Sequence, residues 1–485
     1  MHHPPTALST GSASASMTGK VLFYSIAASA GGFLFGFDTA VINGAVGAIE
    51  EVFEISTFLL GMIVAAALFG AAVGASICGY LADWWGRPRV MLIAAVFFFG
   101  SALGSGLATS GTEMAIWRFI GGIAVGIASV IGPLYIAEIS PSAVRGRLTS
   151  FQQMSIVLGI FAALLANASI ANALGGADAT GWLNLPAWRW MLLAGILPAA
   201  VYGSLALLLP ESPRYLVSRG KTAKATTLLA SLHKISATEA VDQTAAIART
   251  TGSGDRARFG ELVSRRTGFL PIVWVGIGLA ALQALVGIDV IFYYSTSLWQ
   301  SVGFEESDAF ALSTFTSVVN VLATIVAIFF VDKVGRRRLL KIGSAGMAVS
   351  LALTTIGFTQ ATIVDGTPQF TNTWGPLTLV AVNLFVIFFA ISWGPVIWVL
   401  IGEMFPNRIR ALAASAAAGA NWAAGIIVNL TFPSLRDVSL PMSYGIYTAF
   451  AILSFIFVHR FVPETASKSL EDMSSDLENI PGGNS

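Results

Sequence analysis

The chain has 485 residues, of which 55% are hydrophobic and only 11% charged, with a formal net charge of +1 and a mean hydropathy of +0.75. A water-soluble globule carries about 25% charged residues, so most of this chain belongs in lipid, and a charge near zero gives no reason to expect a nucleic-acid partner. The single cysteine, Cys78, excludes an intramolecular disulfide.

Residues 1–20 are rich in Ser, Ala and Thr and lack the basic-then-apolar build of a signal peptide. They read as a disordered cytoplasmic tail. Apolar runs long enough to cross a bilayer as helices follow near 22–46, 58–80, 89–109, 113–138, 148–172 and 189–209, then near 270–297, 308–331, 340–361, 376–402, 411–433 and 439–461. Twelve spans are expected. They divide into a six-helix bundle over 21–211, a polar linker with short amphipathic helices over 212–266, a second six-helix bundle over 267–464 and a cytoplasmic tail over 465–485. The fold class is therefore all-α integral membrane. The 49 glycines and 12 tryptophans suit it, because glycine lets membrane helices pack closely and tryptophan collects at interfaces.

In the first run, GGFLFGFDTAVINGA (Gly31 to Ala45), Asp38 stands among apolar and small residues. A carboxylate near the centre of a span costs roughly 2.5–3.5 kcal/mol, so it faces a partner or a water-filled cavity. A helix-packing acid and a coupling-ion or substrate site are both open readings.

Basic residues crowd alternate connections: Arg87 with Arg89, Arg145 with Arg147, the central linker, Lys333 with Arg336 to Arg338, and Arg408 with Arg410. By the positive-inside rule that side is cytoplasmic, which places both termini inside. Glu50-Glu51 and Glu305-Glu306 fall on the other side.

The chain repeats itself. Asp83-Trp84-Trp85-Gly86-Arg87 returns as Asp332-Lys333-Val334-Gly335-Arg336 at an offset of 249, and Glu138-Ile139-Ser140-Pro141 with Arg145 returns as Glu403-Met404-Phe405-Pro406 with Arg410 at 265. Pro210-Glu211 returns as Pro463-Glu464 at 253. Two homologous halves around a central site are a secondary-transporter design. Ordinary positive-inside charge explains the arginines but not the regularly placed acids. Asp83, Arg87, Arg89, Glu138, Arg145, Glu211 and Arg214 in the first half, with Asp332, Arg336, Arg337, Glu403, Arg410 and Glu464 in the second, are expected to form an inter-helix charge network. Such a network holds the cytoplasmic face shut in one state and breaks in the other.

The D-x-x-G-R loops resemble the signature of the major facilitator superfamily. PESPRYL (Pro210 to Leu216) and PETASKSLE (Pro463 to Glu471) resemble its sugar porter family, as do RFIGGIAVGIASVIGPLYIAEISP (Arg118 to Pro141), GIDVIFYYST (Gly287 to Thr296) and SWGPVIWVLIGEMFPNRIRA (Ser392 to Ala411). The resemblance runs from about residue 25 to 473 and is strongest to bacterial hexose:proton symporters. Pro88 in the first basic loop and Ala466 after PET are small departures.

The resemblance implies a proton pair of Asp38 and Arg118, the latter early in the fourth span. A guanidinium favours ionisation of a carboxylate that burial would neutralise, which leaves a group able to switch as the pair opens. An interfacial side chain snorkelling at a helix end is the plainer account of Arg118. The resemblance also implies a sugar cavity lined by the amides Gln153, Gln283, Asn320 and Asn421. Trp393 and Trp398 would supply an apolar wall, with Phe35, Tyr293 and Tyr294 nearby or gating and Trp422 beside Asn421 as a further substrate contact. Each amide alone is equally open to reading as interhelical glue. Gly394-Pro395 marks a bend point in the tenth span.

One departure bears on specificity: the family's second glutamine is Ala284 here, and its G-I-N is Gly287-Ile288-Asp289. Asp289 offers a strong acceptor that is costly if ionised and unpaired. It is open to being protonated, paired with a base, or a second proton-linked group.

The expected function is import of a monosaccharide, glucose first, with a proton and by alternating access. A facilitative uniporter, or a symporter of another hexose, a pentose or inositol, is the nearest alternative, and a drug:proton antiporter or a sugar sensor is remote. No enzyme is expected, since the four histidines form no metal-like cluster and no nucleophile motif occurs. The expected partners are sugar, proton and membrane lipid, with no cofactor or metal, in a monomer of the cell membrane. Asn167-Ala-Ser and Asn429-Leu-Thr match a glycosylation pattern but lie inside expected spans.

Overall fold

The computed structural model describes residues 18–141, 144–252, 262–264, 268–364, 367–370, 373–405 and 409–462. Nearly all of the expected N-terminal tail, all of the C-terminal tail and Glu464 lie outside these residues. The described chain is helical apart from two short antiparallel ladders. They pair Val263–Ser264 with Gly268–Phe269 and Thr362–Val364 with Thr367–Gln369, a small addition to the all-α expectation.

Twelve helices among the described residues are long and apolar enough to cross a bilayer: Gly19–Gly44, Thr57–Trp85, Arg87–Leu107, Gly111–Ile139, Arg147–Leu174, Ala187–Leu208, Pro271–Ser301, Glu306–Phe329, Arg336–Thr359, Trp374–Met404, Leu412–Val438 and Leu440–Phe461. They follow the twelve expected runs in order. The second continues beyond the expected residue 80 because nothing in LADWW breaks a helix, and it stops at Gly86, whose φ of +91° suits glycine. The helix carrying the eighth span ends at Val334 by the same device, Gly335 at φ +91°. The repeat read from sequence is thus repeated in backbone conformation.

Two spans are interrupted. The seventh consists of Pro271–Leu285 and Ile288–Ser301, joined at Gly287 with φ +81°. The tenth passes through one wide π-helical turn, Phe389–Trp393, before Gly394–Met404. Pro395 lacks the N–H that would bond one turn back, so the irregularity falls just before the expected Gly394-Pro395 point.

In the first half, span one packs on span five, two on four, and three on four and six; in the second, seven packs on eleven and nine on ten and twelve. The halves meet where span two lies against eleven and five against eight. Contact within a half is at backbone distance. A Cβ on Gly36 would overlap the Ile156 carbonyl, and one on Gly159 the Phe33 carbonyl, so spans one and five close together only through glycine.

The linker forms three helices, Pro213–Ser218, Thr222–His233 and Ala237–Gly252. Thr18 Oγ1 donates to Leu232 O at 2.6 Å, and His233 Nε2 lies 3.1 Å from Ile139 O, which ties the linker to the first half. The membrane end bearing these helices is called the linker side below, and the opposite end the far side.

Candidate functional site

Asp38 lies in the last turns of the first helix and Arg118 in the second turn of the fourth span, both buried (9% and 1% exposed). Arg118 Nη1 donates to Asp38 Oδ2 at 3.3 Å and to the Asp38 main-chain carbonyl at 2.9 Å. Gly121, one turn beyond Arg118, makes room for Ser101, since a Cβ there would overlap Ser101 Oγ and would also touch Asp38 Oδ1. Asp38 also walls a cavity of about 10 Å³ whose other sides include Phe37, Phe98 and Leu192. That is roughly the space of one water. The structure therefore joins the two residues expected to form a pair, and Arg118 is no interfacial snorkel.

The second half gathers the amides. Gln283 Nε2 donates to Trp393 O at 2.9 Å, while Asn421 Nδ2 donates to Gln283 Oε1 at 3.1 Å and to Ala280 O at 2.8 Å. Spans seven, ten and eleven are thus locked around one amide pair. Gln153 is half-buried and Asn320 buried, and neither side chain hydrogen-bonds to another described residue. Gln152 is the residue turned inward, with its Nε2 3.4 Å from Ala128 O. Phe35 of the first half meets Trp422 of the second, with ring centroids 6.1 Å apart.

Among the aromatics, Trp398 is 40% exposed, but Trp393 is fully buried. Its Nε1 donates to Ser344 Oγ at 2.9 Å, which holds the ring against the ninth span. Trp393 was expected on a sugar-cavity wall; here its ring is fully buried beside the wide turn of the tenth span and its carbonyl accepts from Gln283. Tyr293 and Tyr294 are buried, and Tyr294 O–H donates to Asn429 O at 3.1 Å.

Asp289 is half-buried on the seventh span opposite Gly425, where a Cβ would come within 3.5 Å of its Oδ2. Asn429 and Tyr447 are its polar neighbours. It forms no ion pair among the described residues, unlike Asp38.

The charge network is assembled within each half. Arg87 holds Glu138 bidentately, Nε to Oε2 at 2.9 Å and Nη2 to Oε1 at 2.8 Å, and reaches Asp83 at 3.5 Å. Arg336 likewise pairs with Glu403, Nη2 to Oε1 at 3.2 Å. Glu211 Oε1 accepts from the backbone N–H groups of Arg87 (3.0 Å) and Ser212 (2.9 Å). Burial pushes the Glu211 carboxyl above the usual range, while these hydrogen bonds and the Arg87 guanidinium pull it back. Arg337 donates to His459 O and Arg410 to Phe405 O. Arg89 and Arg214 are exposed. The side chains of Arg145 and Asp332, like Glu464, lie outside what is described.

Sequence reasoning missed a polar seam between the halves on the far side. Asn43 Nδ2 donates to Phe292 O and Ser295 Oγ, both at 2.9 Å, its Oδ1 accepts from Thr296, and Ser295 Oγ donates to Ser313 Oγ at 2.7 Å. Arg436 pairs with Glu50 at 3.7 Å, and Thr57 donates to Asp437 at 2.6 Å. Asn43 stands five residues beyond Asp38 in an apolar run; the same rule that singled out the acid would have found it.

The family described as "Sugar (and other) transporter" matches residues 24–477. The chain is 49% identical over 455 residues to a "Glucose transport protein" of Synechocystis sp., covering 93% of this chain and 97% of that protein. It is 36% identical to a D-xylose-proton symporter of Escherichia coli K12, covering 93% and 94%. Among solved structures, the inward open xylose transporter XylE of E. coli superposes with a TM-score of 0.79 at 34% identity over 94% of this chain and 99% of the other. XylE bound to 6-bromo-6-deoxy-D-glucose gives 0.77 at 35%, over 96% and 100%.

Proposed function

The chain belongs to the sugar transporter family, and on that premise we propose that it imports glucose together with a proton by alternating access. The observation that carries the proton is the buried Asp38–Arg118 pair, a carboxylate and a guanidinium enclosed between spans of one half. Protonation of Asp38 removes the ionic part of the contact and frees the first span to move with its half. Glucose is favoured over xylose because the relative at 49% identity is named for glucose and the xylose symporter stands at 36%.

A monosaccharide presents hydroxyls around its edge and C–H groups on its faces, so it calls for neutral amides and a flat apolar wall. Gln283 and Asn421, pre-oriented by one another, supply the amides from the second half, with Gln153 and Asn320 completing the ring. Trp398, Trp422 and Phe35 supply the wall. The linker side, with its arginines, is cytoplasmic and both termini lie inside. The chain works as a monomer, since both halves of its site lie in one chain. The far-side seam closes the outer face, and the network of Arg87 and Arg336 braces each half on the inner face.

The test is uptake of labelled glucose into liposomes holding the protein, with and without an inward proton gradient. Accumulation that the gradient drives in the wild type, and that Asp38→Asn loses while retaining glucose exchange, supports symport. Gradient-independent equilibration in both proteins makes it a uniporter. No glucose movement, with uptake of xylose or inositol, moves the substrate within the class.

A further inference from the structure

Two acids within the spans, buried Asp38 and half-buried Asp289, are held differently. Asp38 has Arg118 at 3.3 Å. Asp289, in the second half, has no cation within ion-pair distance among the described residues, although it sits six residues from Gln283 on the same broken span. Around it are Tyr293 on its own helix, Gly425 and Asn429 on span eleven and Tyr447 on span twelve. Farther off, Asp38 and Arg118 of spans one and four already hold each other. Every near neighbour is neutral, and two offer buried polar atoms without a partner, Asn429 Oδ1 and the Tyr447 hydroxyl. Gly425 leaves the carboxyl open on the side where any other residue would place a Cβ at contact distance.

An ionised carboxylate only accepts hydrogen bonds, and without a countercharge in an apolar surround it is strongly disfavoured. A neutral carboxyl carries one O–H donor beside its acceptor, the donor–acceptor pair of an amide, which matches a sugar hydroxyl that both gives and takes.

We propose that Asp289 is a second proton-binding group, and that it binds the sugar in its neutral form. The proton comes from water, bonds to one carboxylate oxygen, and returns to water after the sugar leaves. No other bond changes. Sugar and proton then bind reciprocally at one place, since whatever factor protonation adds to sugar affinity, bound sugar adds to proton affinity. Two sites follow from this, one that moves the halves (Asp38) and one that makes affinity depend on pH (Asp289). The inference rests on the sugar-transport reading above.

The test isolates Asp289 by measuring D-glucose binding calorimetrically to purified Asp38→Asn and to Asp38→Asn/Asp289→Asn, from about pH 5.5 to pH 8.5. The expected result is a loss of affinity with rising pH in the single variant, of roughly tenfold per pH unit above the midpoint. The double variant, whose amide mimics the neutral acid, keeps its tight binding throughout. Buffers of different ionisation enthalpy give a second readout needing no Asp289 variant: the single variant takes up a proton as glucose binds above the midpoint. A flat profile in the single variant, equal slopes in both, or no proton uptake overturns the proposal while leaving sugar transport standing. No glucose binding in either protein or in the wild type at any pH overturns both.

Discussion

Arg118 reaches Asp38 twice with one nitrogen, at the carboxylate (3.3 Å) and at the acid's own main-chain carbonyl (2.9 Å). The second bond does not depend on protonation. Loss of the Asp38 charge would therefore weaken the tie between spans one and four without severing it. Nε and Nη2 of Arg118 are buried without a hydrogen-bond partner, and among the described residues Asp38 is the acid that pairs with this guanidinium. Arg118→Gln is expected to lower stability by roughly 3–5 kcal/mol, as removal of one member of a buried pair does. Adding Asp38→Asn should restore much of it. Thermal melting of both single variants and the double variant in detergent checks this; purely additive losses would contradict the pairing.

Gln283 is aimed by Asn421 on one side and by the Trp393 carbonyl on the other. Asn421→Ala removes a bond that fixes the side chain's rotamer as well as an amide offered to sugar. Roughly a 5- to 150-fold loss of glucose affinity is expected, from one to three kcal/mol. Binding measured calorimetrically, beside an unchanged melting temperature, separates this from misfolding.

Arg87→Lys keeps the charge and loses the fork that holds Glu138 through two parallel bonds. A cost of about 1–3 kcal/mol is expected, because lysine cannot make the planar contact and its ammonium sheds water less readily. A fall in melting temperature with glucose affinity unchanged is the signature; a fall in affinity alone would place Arg87 in a different role.

Glu211 carries a raised proton affinity in the folded chain, chiefly through burial. Its contribution to stability is therefore complete below the ordinary glutamate range and fades as pH rises through the folded value. Glu211→Gln does not titrate, so the two proteins should melt together near pH 4, with the variant gaining on the wild type towards pH 8. A gap that narrows with rising pH would reverse the sign assigned to this group.

Gly36→Ala places a methyl against the Ile156 carbonyl. Spans one and five must then part, and little folded protein is expected. Size-exclusion of the detergent-solubilised variant reads this out; a monodisperse peak with native melting would show that the spans yield.

Sequence made the helices, the repeat and the buried acid legible because each rests on a pattern local to a few residues: an apolar run, a D-x-x-G-R loop, an acid inside a span. Asp38 and Arg118, eighty residues apart, were joined only through family resemblance, and the distance bears it out. What could not be read was rotation about a helix axis. Trp393 and Trp398 look equivalent in SWGPVIW, yet one wide turn buries the first against Ser344 and leaves the second exposed. Gln152 and Gln153 are likewise adjacent amides with opposite surroundings. Asn43 was legible in principle, but its partners Ser295 and Thr296 belong to the other half, and no local pattern reports a contact across some 250 residues.

Around Asn43 the far-side seam is made of hydroxyls and an amide, with the Arg436–Glu50 pair beside them, and this decides where the molecule bends. When Asn43 leaves Ser295, water can take the place of each lost partner, so every bond contributes only about 0.5–1.5 kcal/mol to keeping the seam closed. Parting Gly36 from Ile156 inside a half would open an empty gap in hydrocarbon that nothing refills. Thermal agitation therefore unzips the boundary long before it deforms either bundle, and a protein with apolar residues at Asn43, Ser295 and Thr296 would be sturdier and unable to turn over.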